Sequence, residues 1–202
     1  MAHILNTLDR KLFVLGSYPE YESRMELERR IVITRILRAG SRAILPSDDI
    51  PKKLILDRKR NRLPDIFKTI NGMLVFSKPA VELIESLDPN KHQFFPIELS
   101  WQSGTPFQLE NSFFVANIFA SKRSVDLSRS PVQRFKEGYR VDGFNKSPIF
   151  FQSSCLEGAN LWREDDFLNA LFASSRLLEA FSQEKLRVFR SGRKSVIGEE
   201  FK

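Results

Sequence analysis

The stretch LPDIFKTINGMLVFSKPAVELIESLDPNKHQFFP, residues 63–96, contains the pattern around which the rest of the chain is organised. Its apolar run at residues 73–76 predicts a strand. The next apolar residues recur at the i, i+3, i+4, i+7 spacing of one helix face, and they are Ala80, Leu83, Ile84 and Leu87. Pro79 suits the first helical turn, and Pro89 ends the helix because its ring cannot continue it. A further apolar run at residues 94–99 completes a strand, a capped helix and a strand.

A second copy of this pattern occurs near the end of the chain, in residues 171–181, LFASSRLLEAF. The offset from Ser77 to Ser174 is 97 residues (174 − 77), and the same offset relates Leu74 to Leu171 (171 − 74). Identity between the copies is low, and any two transitions from strand to helix share some features. The constant spacing favours an internal strand-helix-strand repeat, because chance similarity does not keep one register.

Length and composition indicate one globular domain. With 202 residues, 42% of them hydrophobic and 28% charged, the chain can bury a sizeable core. No long Pro-, Ser- or Gly-rich linker divides it. We therefore predict the α+β class, as a single compact domain at residues 1–190 with a mixed or antiparallel sheet and a few helices. Residues 191–202, SGRKSVIGEEFK, are expected to form a flexible C-terminal tail.

Cysteine usage and hydropathy favour a cytoplasmic protein. Cys155 is the only cysteine, so no intramolecular disulfide can form. The N-terminal residues lack the charged start and uninterrupted apolar core of a signal peptide. No stretch approaches the roughly 18 apolar residues that a membrane span needs. We therefore expect no membrane contact.

Several other segments have patterns typical of strands. They are residues 11–16, 54–56, 113–119, 139–142 and 148–152. Residues 20–42 are ambiguous, because charged helix formers surround the β-branched run Ile31-Val32-Ile33-Thr34. Both a helix and a strand remain open there. The 18 Phe against 3 Tyr and 2 Trp indicate a dry aromatic interior, because phenyl rings carry no polar group.

The net charge of +7 and the pI of about 9.7 make nucleic-acid binding one hypothesis. Two clusters, in residues 52–62 and 185–194, carry most of the positive charge. They contain Lys52, Lys53, Arg58, Lys59, Arg60 and Arg62, and then Lys185, Arg187, Arg190, Arg193 and Lys194. No recognised nucleic-acid module surrounds either cluster, so a solvated loop and a solvated tail also explain them. We expect no nucleic-acid partner and keep this function as the alternative hypothesis.

Residue types used in catalysis are few. The two histidines, His3 and His92, are distant in sequence, and His92 lies in the polar segment Asn90-Lys91-His92-Gln93, where we expect an exposed side chain. One cysteine and two histidines do not provide the ligands of a zinc site. Phosphate-loop and nucleophile-elbow motifs are absent. Adjacent acids, as in Glu164-Asp165-Asp166, more often complement a helix dipole than hold a metal. We therefore predict a binding protein that is not an enzyme and needs no metal or other cofactor.

Several motifs resemble the signature of a bacterial immunity-protein family found in polymorphic toxin systems. They are LPDIF at residues 63–67, LVFS at 74–77, HQFFP at 92–96, FFVANI at 113–118, the Val125-Asp126 pair, Ser130 and the Leu161-Trp162-Arg163 run. The similarity covers residues 11–189. It implies a protein that binds a secreted toxin, encoded by an adjacent gene, inside the producing cell. Binding would occlude the toxin's active site or block its assembly.

The resemblance brings no binding residues with it, so the interface must be predicted from residue types. Arg and aromatic side chains are the usual anchors of protein interfaces. We predict a partner-binding surface made of Arg58, Lys59, Arg60, Arg62, Trp101 and Phe107. The alternative is that the basic residues only serve solubility and that Trp101 belongs to the core. A net charge of +7 suits an acidic or neutral toxin, since opposite charges steer association.

Overall fold

The computed structural model describes residues 2–5, 14–15, 24–39, 43–56, 63–69, 72–101, 112–136, 138–141, 147–167, 170–188 and 195–197. The helices are α1 (Arg24–Ala39), α2 (Lys78–Leu87) and α3 (Ser175–Gln183). The strands up to residue 122 are β1 (Ala2–Leu5), β2 (Val14–Leu15), β3 (Lys53–Leu56), β4 (Ile66–Lys68), β5 (Leu74–Ser77), β6 (His92–Trp101), β7 (Phe113–Ile118) and β8 (Ser121–Lys122). The later strands are β9 (Val132–Phe135), β10 (Gly138–Val141), β11 (Ile149–Phe151), β12 (Leu161–Glu164), β13 (Leu171–Ser174) and β14 (Ser195–Ile197).

Two sheets form the body of the described structure. The larger sheet has the strand order β2-β3-β6-β7-β5-β4, and the smaller sheet has the order β1-β13-β12-β8. The β3–β6 and β12–β8 pairs are parallel, whereas the other neighbours within these sheets are antiparallel. In addition, β9 and β10 form an antiparallel pair, and β11 and β14 form a parallel pair. The predicted α+β class with mixed sheets is confirmed.

The predicted strand, capped helix and strand are present as β5, α2 and β6. Ser77 caps the start of α2, because its Oγ accepts a hydrogen bond from the Ala80 N–H at 3.4 Å. Pro79 lies in the first turn of the helix. At the other end, the Asp88 N–H donates to the Ile84 carbonyl at 2.7 Å. Ala80 and Ile84 are buried, as the helical spacing predicts.

The second copy, β13 and α3, adopts the same local structure. Ser174 caps α3 by accepting a hydrogen bond from the Leu177 N–H at 3.2 Å. Its φ and ψ of −69° and 157° match the −70° and 157° of Ser77. Each serine hydroxyl also donates a hydrogen bond to the residue before the first strand of its unit. Ser77 donates to Asp65 Oδ1, before β4, at 2.6 Å, and Ser174 donates to Asn160 Oδ1, before β12, at 2.7 Å. The predicted internal repeat is confirmed for the strand and the helix, whereas residues 184–188 after α3 form no strand to match β6. The repeat also includes β4 and β12, which precede β5 and β13.

Reciprocal contacts join the two repeat units. Asp88, which follows α2, accepts hydrogen bonds from the Asn160 and Leu161 N–H groups at 2.6 and 2.9 Å, at the start of β12. Asp65, which precedes β4, donates its N–H to the Arg187 carbonyl at 3.0 Å. In return the Arg187 N–H, after α3, donates to Asp65 Oδ2 at 2.7 Å. The end of each helix is therefore tied to the first strand of the other unit, which gives the pair an approximate twofold relation.

Buried apolar side chains form three clusters, which we name the first, second and third cores. The first core lies between the larger sheet and α1 and includes Ile33, Leu37, Leu54, Leu56, Phe67, Val75, Phe95, Leu99 and Val115. The second core is shared by both sheets, α2 and α3 and includes Ile66, Leu74, Phe76, Ala80, Ile84, Ala116, Leu161, Leu171, Ala173, Leu177 and Phe181. The third core includes Ala2, Val125, Ile149, Phe151, Trp162, Phe167 and Phe172. Because successive strand residues point to opposite faces, β5 and β13 each contribute to two cores.

The ambiguous segment at residues 20–42 contains α1. Its β-branched run at residues 31–34 is helical despite a preference for strands. Ile33 and Leu37 lie one helical turn apart and are buried in the first core. Burying such a side chain stabilises the fold by about 1.5–3 kcal/mol, whereas helix propensities differ by a few tenths of a kcal/mol per residue. Tertiary packing therefore decides the conformation of this segment.

The other predicted strands are found with shifts of one or two residues at their ends. Residues 54–56, 113–119, 139–142 and 148–152 contain β3, β7, β10 and β11. Of residues 11–16, the described part is β2. In the described part of the chain, no helix combines the length and the apolar composition needed to cross a membrane.

The flexible tail at residues 191–202 stays a prediction, and within this range the structure describes Ser195–Ile197. This segment forms β14, which pairs in parallel with β11. Ile149 lies opposite Ser195, and Phe151 lies opposite Ile197. Because backbone N–H and C=O groups gain partners in such a ladder, an extended apolar segment beside β11 is held in place. The remaining residues of the predicted tail lie outside the described residues.

Candidate functional site

Trp101 is the one predicted partner-binding residue that the structure describes. The other five, Arg58, Lys59, Arg60, Arg62 and Phe107, lie outside the described residues. Trp101 is the last residue of β6, and its half-buried side chain packs against the first core. The indole therefore belongs partly to the core and is partly exposed. This position is compatible with a role in the core and with a role in partner binding, the two interpretations that the sequence left open.

The neighbouring parallel strands β3 and β6 end side by side. Leu56, the last residue of β3, lies opposite Trp101 in the ladder, and the Leu56 side chain is buried in the first core. The chain continues from these two residues into segments 57–62 and 102–111, which contain the predicted basic and aromatic residues. The described geometry thus places the starting points of both segments next to each other at one edge of the larger sheet.

The described members of the two basic clusters already have contacts within the protein. Lys52 Nζ donates to the Ser47 carbonyl at 2.7 Å, and Lys53 Nζ lies 3.7 Å from Glu98 Oε1 on the neighbouring strand. In the second cluster, Lys185 and Arg187 are exposed at the end of α3. Arg190, Arg193 and Lys194 lie outside the described residues.

The expectation that His92 is exposed is wrong. His92 is the first residue of β6, its side chain is buried, and its Nε2 lies 4.0 Å from Asp88 Oδ2. Burial lowers the pKa of His92 to about 4, although the nearby Asp88 carboxylate acts in the opposite direction. The segment is polar in sequence, but the end of α2 and the start of β6 enclose the ring. His92 is therefore a neutral structural histidine.

The acidic run at residues 164–166 does not lie at a helix start. Glu164 is the last residue of β12 and is buried. Its carboxylate accepts hydrogen bonds from Ser124 Oγ at 2.6 Å, from the Ser124 N–H, and from the Val125 N–H at 3.0 Å. Burial raises the pKa of Glu164, and these hydrogen bonds oppose that shift. Asp165 and Asp166 lie in a turn, with their Oδ2 atoms 3.9 and 3.8 Å from Arg123 Nε.

The motif residues around Trp162 hold the third core together. Trp162 Nε1 donates to Ser124 Oγ at 3.2 Å, and Lys122 Nζ lies 4.1 Å from the centre of the indole ring. Asp126 Oδ1 accepts from the Ser128 hydroxyl at 2.6 Å, and this hydrogen bond lowers the pKa of Asp126. Ser130 Oγ in turn donates to the Phe150 carbonyl at 3.2 Å. These residues stabilise turns and strand contacts.

Arg163 connects β12 to α1. Its Nη2 donates to the Leu37 carbonyl at 3.2 Å, and burial lowers the pKa of its guanidinium to about 10. Among the described residues, its Nε and Nη1 atoms have no hydrogen-bond partner. The same part of the chain contains no group of three or more His, Cys, Asp or Glu side chains that could hold a metal ion. The expectation that no cofactor is needed stays a prediction.

Some exposed apolar side chains were not identified from the sequence. In the described structure these are Ile31, Val32, Ile44 and Phe135. The positions on α1 could not be assigned to a face, because the choice between helix and strand was open. For Phe135, the sequence does contain a pattern that could have identified it. In residues 132–141, VQRFKEGYRV, short runs of mixed apolar and polar residues flank Gly138, which is typical of a hairpin with one face towards solvent.

Comparison with models of known protein families finds a match that extends over nearly the whole chain. The model of an immunity protein family (Imm11) matches residues 3–192. The matched range includes both repeat units and the strand ends at Leu56 and Trp101. This match confirms the resemblance of the motifs. A comparison with curated proteins finds no match.

Proposed function

The chain belongs to the Imm11 family of immunity proteins, and we propose that it binds and neutralises a cognate secreted toxin in the producing cell. The toxin is the product of an adjacent gene in a polymorphic toxin system used in bacterial competition, and binding takes place in the cytoplasm. The immunity protein acts by binding rather than by catalysis. It occludes the toxin's active site or blocks the toxin's assembly. The family match over residues 3–192 carries this proposal.

The toxin-binding surface that we propose is the strand-end surface: Trp101 and the residues Arg58, Lys59, Arg60, Arg62 and Phe107. Support comes from the register of β3 and β6, because Leu56 and Trp101 are neighbours and both segments start from them. Binding residues are commonly located in loops that a rigid scaffold positions. The first core provides that scaffold here, since Leu56 is buried in it and Trp101 packs against it.

The composition of the strand-end surface fits a protein partner with acidic groups. Arg and aromatic residues dominate the binding energy of many protein interfaces. A half-buried Trp101 has little rotational freedom to lose on binding, which lowers the entropic penalty of association. The net charge of +7 favours an acidic toxin surface, because complementary charges raise the association rate and select the partner.

The experiment uses the full chain and the purified product of the adjacent toxin gene. We expect a complex in a pull-down and rescue of cells that express the toxin. The R58E/R60E variant and Trp101→Ala should each weaken binding about tenfold or more, as removal of anchor residues does. Arg176→Glu is the control for a reversed charge elsewhere on the surface, because Arg176 is exposed on α3 and has no ion pair among the described residues.

The alternative, nucleic-acid binding through the clusters at residues 52–62 and 185–194, predicts a different result. Such binding weakens steeply with salt, because counterions are released from the phosphates. A salt-sensitive mobility shift with DNA or RNA, together with no toxin binding and no rescue, would replace the proposed function by this alternative. Toxin binding without such a shift would exclude the alternative.

A further inference from the structure

The β9–β10 hairpin has one face towards the protein and one towards solvent. Val132 lies opposite Val141 and Arg134 lies opposite Tyr139 in the ladder, so the side chains of Val132, Arg134 and Tyr139 share one face of the hairpin. Val132 and Tyr139 pack against the third core. Residues between them in each strand point the other way, which places Gln133, Phe135 and Arg140 on the opposite face.

The inner face fixes the hairpin to the third core. The Tyr139 N–H donates to the Asp166 carbonyl at 2.7 Å, and its ring centre lies 6.4 Å from that of Phe167. Tyr139 and Phe167 also form an isolated parallel bridge. The hairpin is thus attached through a few specific contacts, and its outward face is held in a defined orientation.

The outward face combines an exposed aromatic ring with positive charge. Phe135 is 42% exposed, and the Arg140 guanidinium carbon lies 4.9 Å from its ring centre. Lys136, in the adjoining turn, is exposed, and Arg134 is exposed as well, although its register places it on the inner face. Among the described residues, no carboxylate forms an ion pair with any of these three cations. Between residues 128 and 141 the sequence has four basic residues and one acid, Glu137.

A second pair of arginine and phenylalanine lies at the base of the hairpin. The Arg129 guanidinium carbon lies 4.4 Å from the ring centre of Phe150. The Phe150 backbone is held by Ser130, whose Oγ accepts from the Phe150 N–H at 3.0 Å. Asp126 Oδ1 accepts a hydrogen bond from the Arg129 N–H at 3.3 Å, which fixes the backbone position of this arginine. Two guanidinium groups are therefore held against rings instead of moving freely.

This combination differs from an ordinary solvated surface. Single exposed apolar residues are common, and a run of cations is often only soluble surface. Here an exposed ring, a guanidinium group stacked on it and cations with no ion pair among the described residues occur on one short hairpin, and a second stacked guanidinium group lies at its base. Arg and aromatic residues are enriched in the buried centres of protein interfaces, where charge must find a partner. An arginine already held on a ring also loses less freedom when it binds.

We propose that the outward face of the β9–β10 hairpin is a second contact surface for the toxin, and that it binds an acidic patch. This hairpin face consists of Gln133, Phe135 and Arg140, with Arg129 and Lys136 at its margin. The proposal rests on the proposed immunity function. Phe135 enters an apolar depression of the toxin, and the surrounding cations meet carboxylates.

The arrangement of the ring favours a protein partner over a nucleic acid. Single-stranded nucleic acids bind by stacking bases on open aromatic faces. One face of Phe135 is already covered by Arg140, and Phe150 is likewise covered by Arg129. The rings therefore contribute apolar edges and ordered guanidinium groups, which suit carboxylates at a protein surface.

The test measures association and dissociation rates of the full chain with the purified product of the adjacent toxin gene, at low and at high salt. Arg140→Glu should associate about threefold or more slowly at low salt, and the difference should shrink at high salt because ions screen charge. Phe135→Ala should dissociate about tenfold faster, because it removes the apolar anchor. Arg176→Glu, with the same change of charge on α3, should bind like the wild type.

Thermal unfolding of each variant separates misfolding from a lost contact, and an unchanged midpoint is expected for these exposed positions. If the wild type binds the toxin and both hairpin variants bind equally well, the hairpin proposal is wrong and the immunity function stands. If the wild type does not bind the toxin, both proposals fall. Salt-sensitive DNA or RNA binding that Arg140→Glu abolishes, with toxin binding unchanged, would assign the hairpin face to nucleic acid instead.

Discussion

The β4–β5–α2 unit and the β12–β13–α3 unit have the same backbone plan but support different surroundings. Their shared parts face the second core, where α2 and α3 pack together. Their outer parts differ: Phe67 of β4 faces the first core, whereas Trp162, at the equivalent register position of β12, faces the third core. The repeat units therefore act as a scaffold: they share the second core, and each packs its other face against a different core.

The two surfaces proposed for toxin binding are attached to these outer parts. The strand-end surface begins at Leu56 and Trp101, beside the first core. The hairpin face is anchored through Tyr139 to the third core. If both surfaces contact one toxin, the second contact forms at high effective concentration, and the two together bind more tightly than either alone.

Removing the reciprocal contacts between the units should cause the largest change in the free energy of unfolding. Asp88 is fully buried and accepts three hydrogen bonds, from the Asn160 N–H, the Asn160 side chain and the Leu161 N–H. Asp88→Ala leaves these donors without a partner and should lower the free energy of unfolding by about 3 kcal/mol. Asp65→Ala, at a less buried position, should lower it by about 1–2 kcal/mol.

Urea unfolding of the purified variants measures both effects. Asp48→Ala is the control, because Asp48 is exposed in a 3-10 turn and should change stability by less than about 0.5 kcal/mol. Equal losses for Asp88→Ala and Asp65→Ala would contradict the asymmetry, and they would mean that burial contributes nothing beyond the hydrogen bonds.

His92, which follows the first unit, and Glu164, which lies in the second unit, should change the stability of the protein in opposite directions as the pH falls. Between pH 6.5 and about 4 the unfolded chain protonates His92 but the folded chain does not, so wild-type stability should fall by up to about 3 kcal/mol over this range. His92→Phe should lack this fall. The pKa of Glu164 is raised, so the folded state binds its proton more tightly and gains stability from it as pH falls towards 4.5. Glu164→Gln should lack that gain.

The measurement is the free energy of unfolding from pH 7.5 to 4 for wild type and both variants. Differences between each variant and wild type cancel the titration of other groups, provided that these groups are unaffected. A His92→Phe curve parallel to that of wild type would show that the ring is protonated equally in the folded and unfolded chain.

Removal of the helix caps should have the smallest effects on stability, and the two values compare the contribution of the cap in each unit. Ser174→Ala should lower stability by about 1 kcal/mol, as loss of an N-cap does. Ser77→Ala should lower it by about 1.5 kcal/mol, because the Ser77 hydroxyl donates to the charged Asp65 carboxylate whereas Ser174 donates to a neutral amide. Thermal or urea unfolding tests this, with exposed Ser86→Ala on α2 as the control. A larger loss at Ser174 would reverse the proposed order.

The features predicted from the sequence are those encoded over short distances. The spacing of Ala80 and Ile84, the cap at Ser77 and the stop at Pro89 all act within about ten residues, and the structure has them. The repeat was found for the same reason, because Ser174 has the same local neighbours. The family resemblance also rested on such local motifs, and the Imm11 match confirms it.

Features that depend on distant parts of the chain were missed. Nothing near His92 in the sequence indicates that it is buried beside Asp88, whose carboxylate is bound by the distant Asn160 and Leu161. Nothing near Glu164 indicates that Ser124 and Val125 bind its carboxylate. The conformation of α1 depended on burial of Ile33 and Leu37 in the first core. The pairing of β14 with β11 joins segments about fifty residues apart. In each case an interaction between distant segments outweighs the local preference.

The sequence by itself determined the two strand-Ser-helix units, their caps and their amphipathic faces, because backbone hydrogen bonds and the 3.6-residue period act locally. The tertiary structure alone decided that β5 pairs with β7 and β13 with β1. It likewise placed the ends of β3 and β6 together and left one face of the β9–β10 hairpin towards solvent. The physical reason is that strand pairing and burial require contacts between segments that only the complete fold brings together.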